Sequence, residues 1–392
     1  MCERVLAQLQ PFLGDSAGTA WNYLNNWKDL RFYSKITKEA YMKRPFAPQI
    51  PVVFSNSSRG ITTNDMGKAY IKPSTGREYD EGSQYYGHDI VIKRYTGLPL
   101  VSKPLPLIIE HGLQFAPVTS YNSPGPWAKA WLCMGPGRAK HLTSQFSGLP
   151  AIPIGPMISY ARDLIDQETI RKLREELGPT LLVVLAHGWE HTRRDNPMDE
   201  CIRHVRRIQA EQGYQSVLYL RHWADPKCTD LPPSWHLVCN GHRLNPWFLD
   251  SLKTLISLSE GMATNMVATH LGYALAMNKR LHLMSSEPSQ EYPGISPDRL
   301  ERELVEQDIR RHIINQIRSI LNQEGSLGTA RCASRRNEIP LLRRSLRLEH
   351  RLLQFAADRF ITSLRTSPKA LRQLVRERWR LESWHWIRDT QL

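Results

Sequence analysis

Glu110-His111-Gly112 is the first run in this chain that could do chemistry. It follows the apolar run from Leu105 to Ile109, and open α/β sheets place active-site groups just after such buried strands. A histidine exchanges a proton near neutral pH, a neighbouring carboxylate can orient or tune it, and a glycine lets a ligand come close. The pattern fits His111 as a general base assisted by Glu110, although a solvent-facing turn would use the same residues.

Polar runs close further apolar segments. They are His187-Gly188-Trp189-Glu190-His191-Thr192-Arg193-Arg194-Asp195, Arg221-His222-Trp223-Ala224-Asp225, Asn240-Gly241-His242-Arg243, and the break from Ser259 to Asn265. Arg193, Arg194 and Arg221 carry planar forks that match phosphate oxygens. The break Ser259-Glu260-Gly261-Met262-Ala263-Thr264 precedes a helical pattern, and free N–H groups with the helix dipole favour a phosphate at such a point. Ser259, Thr264 and Asn265 add side-chain donors there.

A sheet must bring these runs together. Residues 253–284 read as strand (255–258), turn (259–264), helix (265–277) and strand (281–284). Upstream, the pattern predicts a helix over 163–177 ended by Gly178-Pro179, then strands at 180–186, 216–220 and 235–239. A helix over 197–212 is closed by Gly213, and Asn245-Pro246 opens a short one. Strand alternating with helix predicts a parallel sheet with helices on its faces, and ligands bind outside the carboxyl ends of its strands.

The first part of the chain is more varied. Residues 1–43 look helical, and 45–103 read as loops with short strands, one at 89–92. Strands are expected at 130–134 and 151–158, with a helix over 139–145 between them. After residue 284 come a helix from Ser296-Pro297 to Gly325, a basic helix, and a last one holding Trp379, Trp384 and Trp386. The expected domains are 1–165, 166–325 and 326–392.

The chain has 392 residues, 41% hydrophobic and 23% charged, which is ordinary for a globular protein with two or three domains. Its six cysteines form no CxxC pair, which argues against a zinc ribbon or a disulfide framework and fits a reducing compartment. The first residues lack a basic start followed by a long apolar run, and no window approaches the about 20 apolar residues of a membrane span. A cytoplasmic location is expected. The net charge is +14, and residues 331–392 hold fifteen Lys or Arg against six Asp or Glu. Such a tail suits anionic lipid, a phosphorylated substrate or nucleic acid, or it is simply a solvated face.

The chain resembles the GT-B glycosyltransferases, in particular bacterial enzymes that assemble capsule and O-antigen. The resemblance lies in IIEHG (108–112), IPIGPMISYA (152–161) and NMVATHLGYALAMNKRLHL (265–283). The last looks like a donor-side helix, in which Thr269, His270, Gly272 and Tyr273 precede a lysine-containing turn. That turn is Asn278-Lys279-Arg280, where the commoner donor helix has Gly-Lys-Pro.

The resemblance implies two Rossmann-like domains facing a cleft, with helical N- and C-terminal additions. It implies a nucleotide-sugar in the C-terminal domain, a saccharide or lipid-linked acceptor in the N-terminal one, and no cofactor or catalytic metal. His111 with Glu110 would then deprotonate the acceptor. His187, Glu190, Arg193, Arg194, Arg221, Asn240, His242, Ser259, Glu260, Thr264, Asn265, Thr269 and His270 would face the donor. Among them His242 or His270 would protonate or hydrogen-bond the leaving group, and Glu190 would bind ribose or sugar. The basic tail would touch the inner face of the membrane. Two other readings stand: a teichoic-acid-type phosphotransferase, and a non-catalytic nucleic-acid or membrane-binding protein. The last leaves the polar strand ends without a role.

Overall fold

The computed structural model describes residue 30, residues 77–96, 98, 100, 104–110, 112, 124–188, 192–222, 231–241, 243–298 and scattered positions from 300 to 315. The expected leading helices, apart from residue 30, and the whole 326–392 tail lie outside the described residues.

A 3-10 turn, Glu81–Gly87, runs into α1, His88–Thr96. The strand expected at 89–92 is therefore helix. A short β-branched apolar run does not distinguish a strand from a buried helix by its pattern alone. Helical spacing puts Asp89 and Lys93 on one face, where both meet buried partners. Asp89 pairs with Arg77 at 2.8 Å, and Lys93 with Glu78 at 2.5 Å.

Strands β1 (Leu107–Ile109), β2 (Ala130–Cys133) and β3 (Ala151–Pro153) form a parallel sheet in that order. Helix α2, Pro136–Gln145, links β2 to β3 and begins on a proline, whose missing N–H matters least in a first turn. The third strand is shorter than expected, and a 3-10 turn occupies Met157–Ser159.

Helix α3, Gln167–Leu177, starts where Asp166 accepts from the Thr169 N–H at 2.7 Å. It ends at Gly178, whose φ of 65° suits glycine. Then follow β4 (Thr180–Val184), β5 (Arg193–Asp195), α4 (Met198–Gln212), β6 (Ser216–Leu220), β7 (Trp235–Val238), α5 (Phe248–Leu258), β8 (Gly261–Thr264), α6 (Thr269–Ala276), β9 (Arg280–Leu283) and β10 (Ser289–Glu291). The five longer strands make a parallel sheet in the order β7-β6-β4-β8-β9, while β5 and β10 pair antiparallel beside it. Every residue of β4 is buried, as expected for a central strand covered on both faces. This order is that of a Rossmann-like half, and it reverses direction between β4 and β8.

One correction moves part of the site. The run at 255–258, expected as a strand, is the last turn of α5. Leu249, Leu252, Leu255 and Ile256 recur at helical spacing and are all buried. The strand is instead Gly261–Thr264, where small residues signalled a turn. Crowding explains them: a Cβ on Gly261 would stand 2.1 Å from the Tyr214 hydroxyl.

Leu107, Ile109, Leu132 and Ile152 from the first sheet share one apolar cluster with Leu182, Val184 and Met262 from the second and with Ile256 of α5. The segment before α3 is strapped along α5. The Leu164 N–H donates to Thr254 Oγ1 at 2.9 Å, Ser257 Oγ to Asp163 Oδ1 at 2.8 Å, and Lys253 Nζ to the Ala161 carbonyl at 2.6 Å. Arg94 of α1 reaches the fully buried Asp250 of α5 through two bonds, of 2.6 and 2.7 Å. Among the described residues no helix is long and apolar enough to cross a membrane.

Candidate functional site

Where strand order reverses, the loops after adjacent strands diverge and leave a crevice at their carboxyl ends. Here that edge carries Ala186-His187-Gly188 after β4, Arg221-His222 after β6, Cys239-Asn240-Gly241 after β7, and Thr264-Asn265 with the opening of α6 after β8.

Asn265 braces the two halves. Its Oδ1 accepts from the Ala186 N–H at 2.8 Å, and its Nδ2 donates to Asn196 Oδ1 at 2.8 Å. Asn196 Nδ2 closes the loop on the Ala186 carbonyl at 2.7 Å. Both polar atoms of the Asn265 amide therefore have protein partners. Asn196 did not stand out in the sequence, because it reaches Asn265 only across the sheet.

His187 is half-buried and stacks on His222, ring centroids 4.0 Å apart and planes 7° from parallel. Its Nδ1 lies 3.0 Å from the Gly188 carbonyl, which only accepts, so Nδ1 carries the hydrogen and Nε2 the lone pair. Burial lowers its pKa, the Gly188 carbonyl opposes that shift, and the Arg194 charge adds to it. Arg194 Nη1 donates to the His187 carbonyl at 2.9 Å. Arg193 points its charge elsewhere: its side chain is 68% exposed and lies 3.6 Å from Asp195. Neighbouring side chains on a strand face opposite sides, which separates these two arginines.

His270, in the first turn of α6, has its Nε2 2.9 Å from Thr264 Oγ1. Burial, with a smaller contribution from His187, drives its pKa down to about 3. It is neutral at physiological pH, so it holds no imidazolium proton for a leaving group, though a neutral ring N–H still donates a hydrogen bond. Thr269 opens α6, whose N-cap residue Ala268 makes no side-chain cap.

Ser259 and Glu260 are a correction. They stand at the amino end of β8, and four residues of strand put Glu260 about 13 Å from Thr264. The Glu260 N–H donates to the Thr180 carbonyl at 2.9 Å, at the start of β4. Ser259 Oγ donates to the Ile256 carbonyl at 3.0 Å, and the Ser259 carbonyl accepts from Lys279 Nζ at 2.5 Å. Burial brings the Lys279 pKa down to about 8. This corner belongs to the opposite edge of the sheet from His187 and Thr264.

Arg221 is half-buried, and its backbone N–H donates to the Val238 carbonyl at 2.9 Å, which sets it beside the end of β7. Asn240 is buried there. Glu190, His242 and His111 lie outside the described residues. Glu110 is described and is buried beside Arg138, with which it forms a close ion pair. Arg138 sits in the first turn of α2, so the pair ties the end of β1 to the loop after β2. The Gly135-Pro136-Gly137-Arg138 run marks a strand-end loop in the sequence, but nothing local shows that its arginine meets Glu110.

A small open recess of about 70 Å³ flanks the edge, lined by Arg194, Asn265, Val267, Glu287, Gln290 and Tyr292 among others. Among the described residues no group of three His, Cys, Asp or Glu side chains is placed to hold a metal ion.

Sheet order and polar edge together define a mixed α/β protein with a Rossmann-like parallel sheet. No family model matches the chain, and no curated protein matches its sequence. Among solved structures it is similar to a co-structure of S. aureus MnaA with UDP, at 16% identity and a TM-score of 0.28. The match covers 40% of this chain and 43% of that one, less than half of either.

Proposed function

We propose that the protein is a glycosyltransferase that moves a sugar from a nucleotide-sugar to a saccharide or lipid-linked acceptor in surface polysaccharide assembly. One observation carries the reading. At the carboxyl edge of the five-stranded sheet, His187 and Thr264 stand at the ends of β4 and β8, between which strand order reverses, Arg194 donates to the His187 carbonyl, and Arg221, His222 and Asn240 follow the neighbouring strands β6 and β7.

In this reading the donor lies along that edge and the acceptor lies towards the end of β1, in a cleft between the two sheet units. His111 takes the proton of an acceptor hydroxyl, whose oxygen attacks the anomeric carbon. The sugar–phosphate bond breaks, and the nucleotide leaves with its negative charge held by arginine forks and the first turn of α6. The buried Glu110–Arg138 pair holds the backbone that carries His111. The basic 326–392 segment makes peripheral contact with anionic lipid.

Thermal melting with UDP, GDP, CMP, CDP, ADP and dTDP, with and without divalent metal, tests the reading. Ligand at a hundred times its dissociation constant adds about 2.7 kcal/mol. A shift with one nucleotide, independent of metal, is the expected result. No shift with any nucleotide refutes the donor site. Product analysis then separates a glycosidic bond from the phosphodiester that a phosphotransferase makes.

A further inference from the structure

Among the described residues the chain passes from the three-stranded sheet to the five-stranded one once, over residues 154–166. If one sheet swung relative to the other, this segment would have to absorb the change in φ and ψ. Helix α5 holds it residue by residue. Asp250, Lys253, Thr254 and Ser257 recur at helical spacing and make a polar stripe along α5. Lys253 Nζ donates to the Ala161 carbonyl at 2.6 Å, and the Arg162 N–H donates to Asp250 Oδ1 at 2.9 Å. Ser257 Oγ donates to Asp163 Oδ1 at 2.8 Å, and the Leu164 N–H to Thr254 Oγ1 at 2.9 Å. Each residue from Ala161 to Leu164 is thereby bonded to the helix. Upstream, Ile154, Met157, Ile158 and Tyr160 are buried in the apolar cluster that both sheets share. Neither half of the segment is free to act as a hinge.

Asp250 also reaches the three-stranded sheet by a second route. Its carboxylate is 0% exposed and accepts from both ends of the Arg94 fork, at 2.6 and 2.7 Å. Arg94 lies on α1, and the 3-10 turn that leads into α1 is fixed to β1, where Ser83 Oγ accepts from the Ile109 N–H at 2.8 Å. The same turn docks on the loop before α5. There the Tyr86 N–H donates to the Arg243 carbonyl at 2.5 Å, and a Cβ on Gly87 would stand 2.0 Å from the Pro246 carbonyl oxygen. At its other end α5 runs into β8 of the five-stranded sheet. One buried carboxylate therefore joins α1, the connecting segment and the second sheet. Units of one chain move relative to each other unless their interface is large and hydrophobic, and here they share one apolar core.

We propose that α5, through Asp250 and its polar stripe, is a lock that fixes the two sheets in one orientation. Ligands then enter a cleft of fixed width, and movement on binding is confined to loops. The lock does not rest on the glycosyltransferase reading.

Pulsed electron paramagnetic resonance on the full chain tests it. Spin labels go on Lys140→Cys of α2 and Arg206→Cys of α4, both exposed, with Cys2, Cys228 and Cys332 changed to serine. Cys133, Cys201 and Cys239 are buried and stay. One narrow distance distribution is expected, the same alone and with saturating UDP. Two distances in the free protein, or one that shifts with UDP, overturn the lock and leave a nucleotide site standing. A single distance in a protein that binds no nucleotide keeps the lock and removes the glycosyltransferase reading. Asp250→Asn turns an amide nitrogen or a weaker acceptor towards Arg94 and adds a second distance. If that variant does not fold, Thr254→Val/Ser257→Ala, which cuts two bonds of the stripe at little change of volume, decides in its place. A single narrow distance in the folded variant overturns the stripe as the lock.

Discussion

Arg138→Met leaves the Glu110 carboxylate buried without the cation that pairs with it. Glu110 is 2% exposed and Arg138 3%, so water cannot replace the lost partner. Removing one member of a buried ion pair costs about 3–5 kcal/mol. That is a large part of the about 5–15 kcal/mol that holds a typical domain together. The double variant Glu110→Gln/Arg138→Met removes both charges, so it recovers much of the loss. Urea unfolding of wild type, both single variants and the double variant gives the coupling energy directly. If Arg138→Met unfolds within about 1 kcal/mol of wild type, as for an exposed pair, the pair does not brace the end of β1. His111 would then lack the fixed platform assigned to it.

The crowded centre of the sheet gives a second expectation. Gly261→Ala drives a methyl into the Tyr214 hydroxyl and destabilises by about 1–3 kcal/mol, and adding Tyr214→Phe, which deletes that hydroxyl, restores part of the loss in thermal melting. Acid sensitivity follows from the neutral histidines. Burial lowers His270 to about 3 and His282 to about 4, both below the unfolded value of 6.5, so their contribution is complete above 6.5 and lost as pH falls towards those values. A His270→Gln/His282→Gln protein should show a flatter fall of stability between pH 6.5 and 4 in urea titrations; an unchanged slope would remove them as the source. Edge assignment predicts that Glu260→Gln leaves any nucleotide-induced melting shift intact while Arg194→Gln reduces it. The reverse result would place the ligand at the amino edge.

Patterns of local origin were legible in the residues. Gly178 and Gly213 marked the ends of α3 and α4, because each ends a helix with a positive φ, and the apolar run 180–186 marked the central strand β4. Alternating strand and helix was enough for a parallel sheet with polar carboxyl ends. Short runs misled where two structures share one pattern: 255–258 reads as strand or helix, and only packing of α5 against the core chose helix.

Contacts between distant residues were not legible. Sequence placed Glu110 beside His111 but could not place it beside Arg138, 28 positions away, because that pair forms only when β1 and β2 pair side by side in one sheet. It grouped Ser259 with Thr264, since they are near in the chain. A strand running between them carries them to opposite edges of the sheet, and spacing alone holds no record of that direction. Residue types fixed which chemistry the chain could offer, a base, cations and amide donors. Strand order fixed which of those groups meet, because it sets which loop ends lie side by side.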